Sequence, residues 1–497
     1  MNALKKFFAE SSYYGKLMLL IGFLTAVPLA VVPFYPGEAQ YIPAFLIPAA
    51  VSAALGLTVC FRTSRKEKQA AEWQSPLQKG SLPVLFAWCF AFLSGAVPFM
   101  IGGGLNFIHA LFESVSGWTT TCLTVLKTAE IPHIFLFQRS FMPYCGGLGF
   151  IIMISVLAQG DHNMNLYSAE GHPDRIMPSL KSTAHIIFML YNYFFIAGTL
   201  IYWLLGMKLF DAVCHTMTAL STAGFKMHAL NIENYGSLPI ELFTVLLMLA
   251  GSTNFAVLLL LVKGKFRRAA RVSEFRFMLI ILLVSVPLAA VSLMKNMGLG
   301  FGGSMINALF GIVSTLTTSG HSAVNYTLWP PFALGLIFAL MFAGGSAGST
   351  AGGIKLLRVY LLARFIKENI RGRISPAHRV TTPSYNRVQG KTLIDDALIK
   401  DTLGFVICYT GVFTVGTFLL TVTADSTLFD AMFAFASAFS TAGISNSLTS
   451  ADLSAGSLLV LMGGMILGRL EIFIVFVGIY SGAQSLKRRF QNKTAKK

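Results

Sequence analysis

Charge is what this sequence has least of. Only 12% of its 497 residues are Asp, Glu, Lys or Arg, while 55% are apolar and the mean hydropathy is +0.67. Soluble domains carry about 25% charged residues, so a water-soluble globule is excluded and the chain must live in a bilayer. Acidic residues are the scarcest, 21 against 38 basic, for a net charge of +17. Paired cysteines are missing too. Cys60, Cys89, Cys122, Cys145, Cys214 and Cys408 form no CxxC and fall mostly in apolar stretches, which excludes a disulfide framework or a zinc site. The nine histidines form no HExxH. A phosphate-binding loop is absent as well: Gly344 to Lys355 reads GGSAGSTAGGIK, with Ile354 between glycine and lysine and no Ser or Thr after it. No organic cofactor is expected. The first apolar run is too long for a cleaved leader and lacks a small-residue cleavage site, so it is read as a span.

Hydrophobic runs able to cross about 30 Å of hydrocarbon fall near 14–36, 40–61, 82–103, 132–158, 185–207, 238–262, 276–296, 331–362, 402–423 and 456–484. Ten spans put both termini on one face. That face collects Arg62, Arg65, Lys66, Lys68 and Lys79, then Lys263 to Arg276, Arg364 to Lys400, and the tail Lys487 to Lys497. The opposite face has only Lys127, Lys208, Lys226 and Lys295, with Arg139 near a helix start. Because cytoplasmic loops retain Lys and Arg, termini and basic loops are expected in the cytoplasm. The same distribution assigns the positive charge to topology and lipid headgroups. A nucleic-acid surface would interleave it with stacking aromatics on a soluble face.

Four stretches superpose without a gap: HALFESVSGWTTTC (His109 to Cys122), DAVCHTMTALSTAG (Asp211 to Gly224), NALFGIVSTLTTSG (Asn307 to Gly320) and DAMFAFASAFSTAG (Asp430 to Gly443). Each lies between two apolar spans, so the expected fold is an all-α polytopic membrane protein. Two N-terminal helices precede four helix, re-entrant pore loop, helix repeats in a pseudo-fourfold arrangement around one pore. The expected divisions are 1–80 (two N-terminal helices and a basic loop), 81–183, 184–275 and 276–400 (repeats one to three), and 401–497 (repeat four and the basic tail). Repeats of this kind place the binding site where they meet.

The ends of the four stretches carry the chemistry. Threonine recurs as Thr120, Thr222, Thr318 and Thr441; small residues follow as Thr121, Ala223, Ser319 and Ala442; the last place holds Cys122, Gly224, Gly320 and Gly443. A cation filter replaces hydration water with oxygen ligands, and backbone carbonyls do so without fixed charge. Irregular backbone is tolerated at that depth only where it is buried or lines a water-filled path. The alternative is that Thr-small-Gly merely caps a short helix, since glycine is the usual stop; four triplets in register favour the filter. Pore helices ending there point their negative dipole ends at the axis, which favours cations. No ring of Asp or Glu stands there, so a monovalent cation is expected.

Two features lie farther on. Gly344, Gly345, Ser346, Ala347, Gly348, Ser349, Thr350, Ala351, Gly352 and Gly353 interrupt a membrane span with ten small residues. At about 1 kcal/mol per glycine against alanine they do not hold a helix, and a flexible gate ending at Lys355 is expected rather than close helix packing. Arg469 sits in an apolar span, at about 2.5–3.5 kcal/mol on insertion scales. A place in the cavity beneath the filter is expected, against a bridge to Glu471.

On the motifs ALFESVSGWTTT, RSFMPYCGGLGF, LSTAGF, GSTNF, SEFRFM, TTSG, GGSAGSTAGGIK and LGRLEIF, the chain resembles the Trk/Ktr/HKT superfamily of potassium transporters, most nearly bacterial TrkH-type pore subunits. The resemblance runs from about residue 80 to the C-terminus, with the first two spans matching the extra N-terminal pair. It implies a single-chain pore, a homodimer, in the bacterial cytoplasmic membrane, with K⁺ held by the four filter segments. Gly344 to Gly353 would be the intramembrane gate and Arg469 the pore arginine. A cytosolic ring of nucleotide-binding subunits would be a separate partner chain. Two departures stand out. Cys122 replaces the usual first glycine, which leaves Na⁺ permeation open, since related plant carriers with a non-glycine residue there often pass Na⁺. His321 stands where phenylalanine is common and would make flux sensitive to pH.

The competing readings are weaker. Coupling to Na⁺ or H⁺ would need an intramembrane carboxylate; Glu113 and Glu471 are candidates, but Glu113 reads as a pore-helix start, where it meets the N-terminal dipole. A membrane-embedded enzyme would need a nucleophile with a base, or paired Asp or His, at membrane depth. A receptor has no need of four threonines in register.

Overall fold

The computed structural model describes residues 12–62, 76–126, 131–149, 180–225, 232, 235–322, 326–374, 383–445, 448 and 453–494. The fold is all-α and polytopic. An N-terminal hairpin comes first: α1 (Tyr13–Ala26) runs through two 3₁₀ turns, Val27–Phe34 and Pro36–Tyr41, into α2 (Ile42–Arg62). Prolines 28, 33 and 36 remove the N–H groups a regular helix would need there. Glu38 in the second turn accepts from the backbone N–H groups of His133 (2.7 Å) and Ile134 (2.8 Å). It thereby satisfies the orphan donors at the start of a later helix and fixes the hairpin to the body.

One order of elements then recurs four times. The long incoming helices are α3 (Pro76–Ile101), α6 (Leu180–Leu204), α11 (Ser273–Met297) and α15 (Asp396–Ala424). Each leads to a short, mostly buried helix: α4 (Phe107–Trp118), α7 (Leu209–Leu220), α12 (Phe301–Leu316) and α16 (Leu428–Phe439). Asn106 caps α4 through His109 N–H (2.9 Å), and Thr427 caps α16 through Asp430 N–H (3.2 Å). The outgoing segments are α5 (His133–Leu148), α8 (Leu238–Ser252) with α9 (Phe255–Val262), α13 (Pro331–Ala343) with α14 (Leu356–Ile374), and α17 (Ala455–Arg469) with α18 (Ile472–Thr494). A single turn, α10 (Phe266–Ala269), lies in the basic connection before α11.

Six described helices are long and apolar enough to cross a membrane unbroken: the two of the hairpin and the four incoming ones. The outgoing spans, expected as continuous apart from the small-residue run, are built otherwise. That over 238–262 breaks at Thr253 and Asn254, because Asn254 turns its side chain to cap the next helix through Ala256 N–H (2.8 Å). That over 456–484 bends by 102° at Leu470 and Glu471, where Glu471 takes a left-handed φ of 60°. The span over 132–158 is helical to Leu148, and its remainder lies outside the described residues.

Lipid-facing surfaces are apolar, with Val422 82% and Ile407 71% exposed on α15. Water would not tolerate such patches. The basic region 364–400, expected as a loop, continues α14 and then forms an antiparallel hairpin of β1 (Ser384–Arg387) and β2 (Gly390–Leu393). Tyr385 packs there with Leu361 and Ile394, and Asn386 N–H donates to Ser273 Oγ at 2.9 Å.

Candidate functional site

The four short helices end alike. In each, the N–H of the recurring threonine donates to the carbonyl three residues back: Thr120 to Gly117 (3.0 Å), Thr222 to Ala219 (3.3 Å), Thr318 to Thr315 (3.0 Å) and Thr441 to Ala438 (3.2 Å). The next N–H donates five back: Thr121 to Ser116 (3.0 Å), Ala223 to Thr218 (2.8 Å), Ser319 to Ser314 (2.8 Å) and Ala442 to Ser437 (2.9 Å). This pair of bonds is a Schellman stop, whose left-handed residue is ordinarily glycine. Here it is threonine, at φ 61°, 52°, 53° and 53° for Thr120, Thr222, Thr318 and Thr441. An L-residue in that conformation costs about 1–2 kcal/mol, and a β-branched one is an outlier. Helix capping does not account for threonine at these places, because glycine would cap each helix at lower cost. Two residues on, Cys122, Gly320 and Gly443 are also left-handed, whereas Gly224 is not.

The four loops lie against one another in a closed cycle. A β-carbon on Gly224 would stand 2.6 Å from the Ser319 carbonyl oxygen; on Gly320 it would overlap that of Ala442, and on Gly443 that of Thr121. Only glycine permits these approaches. Between the first and second loops the packing is by side chain, with Cys122, Ala223 and Phe225 forming one buried cluster. Glycines of the outgoing helices bring the cycle its support. A β-carbon on Gly146, Gly251 or Gly468 would overlap the carbonyl of Trp118, Leu220 or Phe439, the last residue of the neighbouring short helix.

Residues 344–355 fill the space against the threonines. Gly344, Gly348 and Gly353 are left-handed, as is Lys355 at φ 78°, and the run folds back so that Gly344 meets Gly352 and Gly353. Gly352 N–H donates to Thr318 Oγ1 (2.8 Å), and the Thr350 and Thr222 hydroxyls lie 3.2 Å apart. Gly352 also packs against Thr441 and Ser440. Three of the four recurring threonines therefore meet this one segment. Its other side is zipped to the break in the second outgoing span: Ser346 N–H donates to Ser252 O (2.9 Å), Thr350 N–H to Gly251 O (3.1 Å), Phe255 N–H to Gly348 O (3.2 Å), and Asn254 Nδ2 to Ala347 O (2.7 Å). Leu356 N–H donates to Gly345 O at 2.9 Å. The Lys355 ammonium donates to the Ala351 carbonyl, and Ser349 Oγ to Ser346 O (2.6 Å).

Arg469 joins this segment to the first repeat. Its Nη1 donates to Thr350 O (2.6 Å), and its Nη2 to Gly146 O (2.6 Å) and Gly147 O (3.0 Å). Glu471 makes a bidentate pair with Arg358, at 2.9 and 3.2 Å, and that guanidinium lies 3.8 Å over the Phe405 ring. Among the described residues no group of three His, Cys, Asp or Glu could hold a metal ion.

Residues 49–482 match the TrkH family, described as cation transport proteins. This chain belongs to the TrkH family. It is 29% identical to the Trk system potassium uptake protein TrkG of Escherichia coli, over 94% of this chain and 96% of the relative. It is 28% identical to an uncharacterized cation transporter of Methanocaldococcus jannaschii, over 93% of each chain. The crystal structure of the potassium transporter TrkH from Vibrio parahaemolyticus superposes with a TM-score of 0.81 at 27% identity, covering 93% of this chain and 96% of that one. A TrkH-family chain is a cation transporter rather than an enzyme.

Every site residue expected from the sequence of this TrkH-family chain lies in the two adjoining structures, the loop cycle and the 344–355 segment with Arg469. Two carboxylates depart from the expectation from sequence. Glu113, read as a pore-helix start, is the seventh residue of α4 and fully buried. Its Oε1 accepts from Val125 N–H (2.7 Å), Leu126 N–H (3.2 Å) and the Thr124 hydroxyl, and its Oε2 lies 3.5 Å from Arg139 Nε. Arg139, placed on the outer face near a helix start, is likewise fully buried. Glu274 Oε1 accepts from Ala347 N–H (2.6 Å) and Leu357 N–H (3.1 Å), tying the 344–355 segment to the first turn of α14. A signal for Glu274 was present, an acidic residue opening a basic, apolar span in SEFRFM.

Proposed function

We propose that the chain is the pore-forming subunit of a potassium uptake system and carries K⁺ across the bacterial cytoplasmic membrane. One observation carries this reading. Threonine occupies the left-handed stop of all four short helices, at a conformational cost glycine would avoid, so its side chain or its neighbouring carbonyls are what the position is for. Along 120–122, 318–320 and 441–443 the outer two residues have positive φ and the middle one does not, an alternation in which successive carbonyls can share one side. A ring of such carbonyls replaces the water around a monovalent cation. The relatives named as potassium uptake proteins support K⁺ as that cation. In this reading the divisions 81–183, 184–275, 276–400 and 401–497 are four repeats in a pseudo-fourfold pore. Segment 344–355, seated against three threonines and tied by Arg469, is its closed gate. Both termini lie in the cytoplasm, the chain is a homodimer, and a cytosolic ring of nucleotide-binding subunits releases the gate.

A second reading, permeation by Na⁺, rests on Cys122. It is left-handed like Gly320 and Gly443 yet carries a β-carbon where those glycines crowd a neighbouring carbonyl. One junction of the ring is therefore built differently, which alters the spacing of its ligands.

The test is uptake of K⁺, Rb⁺, Na⁺ and Li⁺ into proteoliposomes holding the purified protein. Uptake of K⁺ and Rb⁺ above Na⁺ and Li⁺ supports the first reading, and equal uptake of Na⁺ the second. No uptake of any of them, with the cytosolic partner supplied, removes both.

A further inference from the structure

The Glu113 and Arg139 pair lies behind the first loop, entirely inside the protein. A buried charge pair is costly to build and gains little net stability against apolar packing, so its place in the fold asks for a reason. Glu113 Oε1 collects the N–H groups of Val125 and Leu126 and the Thr124 hydroxyl. These are the residues by which the chain leaves the first filter segment, directly after Cys122 and Leu123. Ser116 Oγ holds Leu123 O from the same helix at 2.6 Å. Arg139 sits on the other side of the carboxylate, and its guanidinium lies 4.3 Å above the ring of Phe225. Phe225 directly follows Gly224 of the second loop and is fully buried. One connected set thus runs from the exit of the first loop, through Glu113 and Arg139, to the exit of the second.

The other repeats hold no carboxylate at the aligned place, which is His215, Gly311 and Ala434. In the third repeat aromatic packing serves instead: the Trp329 ring fills the space a side chain at Gly311 would take, and Tyr326 OH donates to the His321 carbonyl at 2.9 Å. The charged version occurs at the junction of the first and second loops. There Cys122 stands where the other junctions have glycine against a carbonyl, and there the loops meet by side-chain packing of Cys122, Ala223 and Phe225.

We propose that Glu113 and Arg139 are positioning residues that set the ion preference of the pore by fixing the spacing of the first and second loops. The inference rests on the ion-conducting reading above. Neither side chain touches the ion. Glu113 holds the exit segment of loop one, and Arg139, 3.5 Å from its carboxylate, carries its position to Phe225.

The test is the K⁺ to Na⁺ permeability ratio, read from reversal potentials in planar bilayers. Glu113→Gln keeps an oxygen that accepts the two N–H groups but leaves Arg139 without its counter-charge. It is expected to conduct with a ratio lowered at least fivefold. Phe225→Leu leaves no unpaired buried charge, so it folds even where Glu113→Gln does not, and it is expected to lower the same ratio. Arg139→Lys, which retains the charge, is expected to keep more of the ratio than Arg139→Gln. A folded Glu113→Gln or Phe225→Leu protein that conducts with the wild-type ratio would overturn the proposal, since a merely structural pair changes yield and stability alone. An unmodified protein that passes K⁺ and Na⁺ equally would overturn it as well. Absence of any conductance in the unmodified protein would count instead against the pore reading itself.

Discussion

Gly352→Ala adds one methyl group where the intramembrane segment meets the fourth loop. The backbone at Gly352 lies outside the left-handed region, so alanine fits it and the effect is steric. The new β-carbon would stand 2.1 Å from Thr441 Oγ1 and 2.3 Å from the Ser440 carbonyl oxygen, against about 3.5–4.0 Å for an unstrained contact. One of the two partners is backbone, held by the Schellman stop of α16, so a rotamer change does not relieve the overlap. Segment 344–355 must retreat by more than an ångström. Overpacking of this kind costs about 1–3 kcal/mol. Because the cost falls only on the seated segment, it shifts the balance of seated and displaced states by about 5- to 150-fold. The assay is Rb⁺ uptake into proteoliposomes containing the purified protein and no cytosolic partner, with size-exclusion elution as the control for folding. A several-fold rise in initial rate is expected. An unchanged or lower rate from a folded variant would refute the assignment of this segment as the closed gate.

Other perturbations of the same contacts have expected directions. Arg469→Gln removes the charged donor to Thr350 O, a bond worth about 1.5–3 kcal/mol, and is expected to raise Rb⁺ uptake in the same assay. Glu274→Ala strips the acceptor shared by Ala347 and Leu357 N–H; with about 1–3 kcal/mol for each buried donor left unmet, Rb⁺ uptake rises while the K⁺ to Na⁺ ratio holds. Cys122→Gly relieves a left-handed side-chain-bearing residue and is expected to raise the unfolding midpoint by the equivalent of about 1 kcal/mol. In ion competition it is expected to move the preference towards K⁺. Trp329→Ala opens a cavity behind the third short helix and is expected to cost about 3–5 kcal/mol of stability, measured by thermal unfolding in detergent.

Much of the site was legible in the sequence because it is written four times. A single Thr-small-Gly would have read as a helix end; four in register located every loop of the cycle, and ten small residues in an apolar span located the segment beneath. What the repeat could not reveal is which residue makes the stop. Glycine is the expected left-handed residue, and only the dihedral angles show threonine there, ahead of Cys122 in the first loop and of glycine in the other three. The breaks at Asn254 and Glu471 escaped because hydropathy averages over a window and is blind to the Asn254 side chain that recaps the next helix and to the left-handed turn at Glu471. Glu113 escaped for a related reason. An acidic residue near a helix start has a ready explanation in the helix dipole, whereas its partners, Val125, Leu126 and Arg139, come together only when the chain doubles back. The hairpin over 384–393 was hidden by the charge of its surroundings, which reads as solvated loop.

The central claim is that the four loops hold the transported ion, and diffraction at the rubidium absorption edge from crystals grown with Rb⁺ replacing K⁺ tests it most directly. The account expects anomalous density inside the cycle, at the level of Thr120, Thr222, Thr318 and Thr441 and within reach of their carbonyl oxygens. Density found only elsewhere in the protein, or none inside the cycle at saturating Rb⁺, would contradict it.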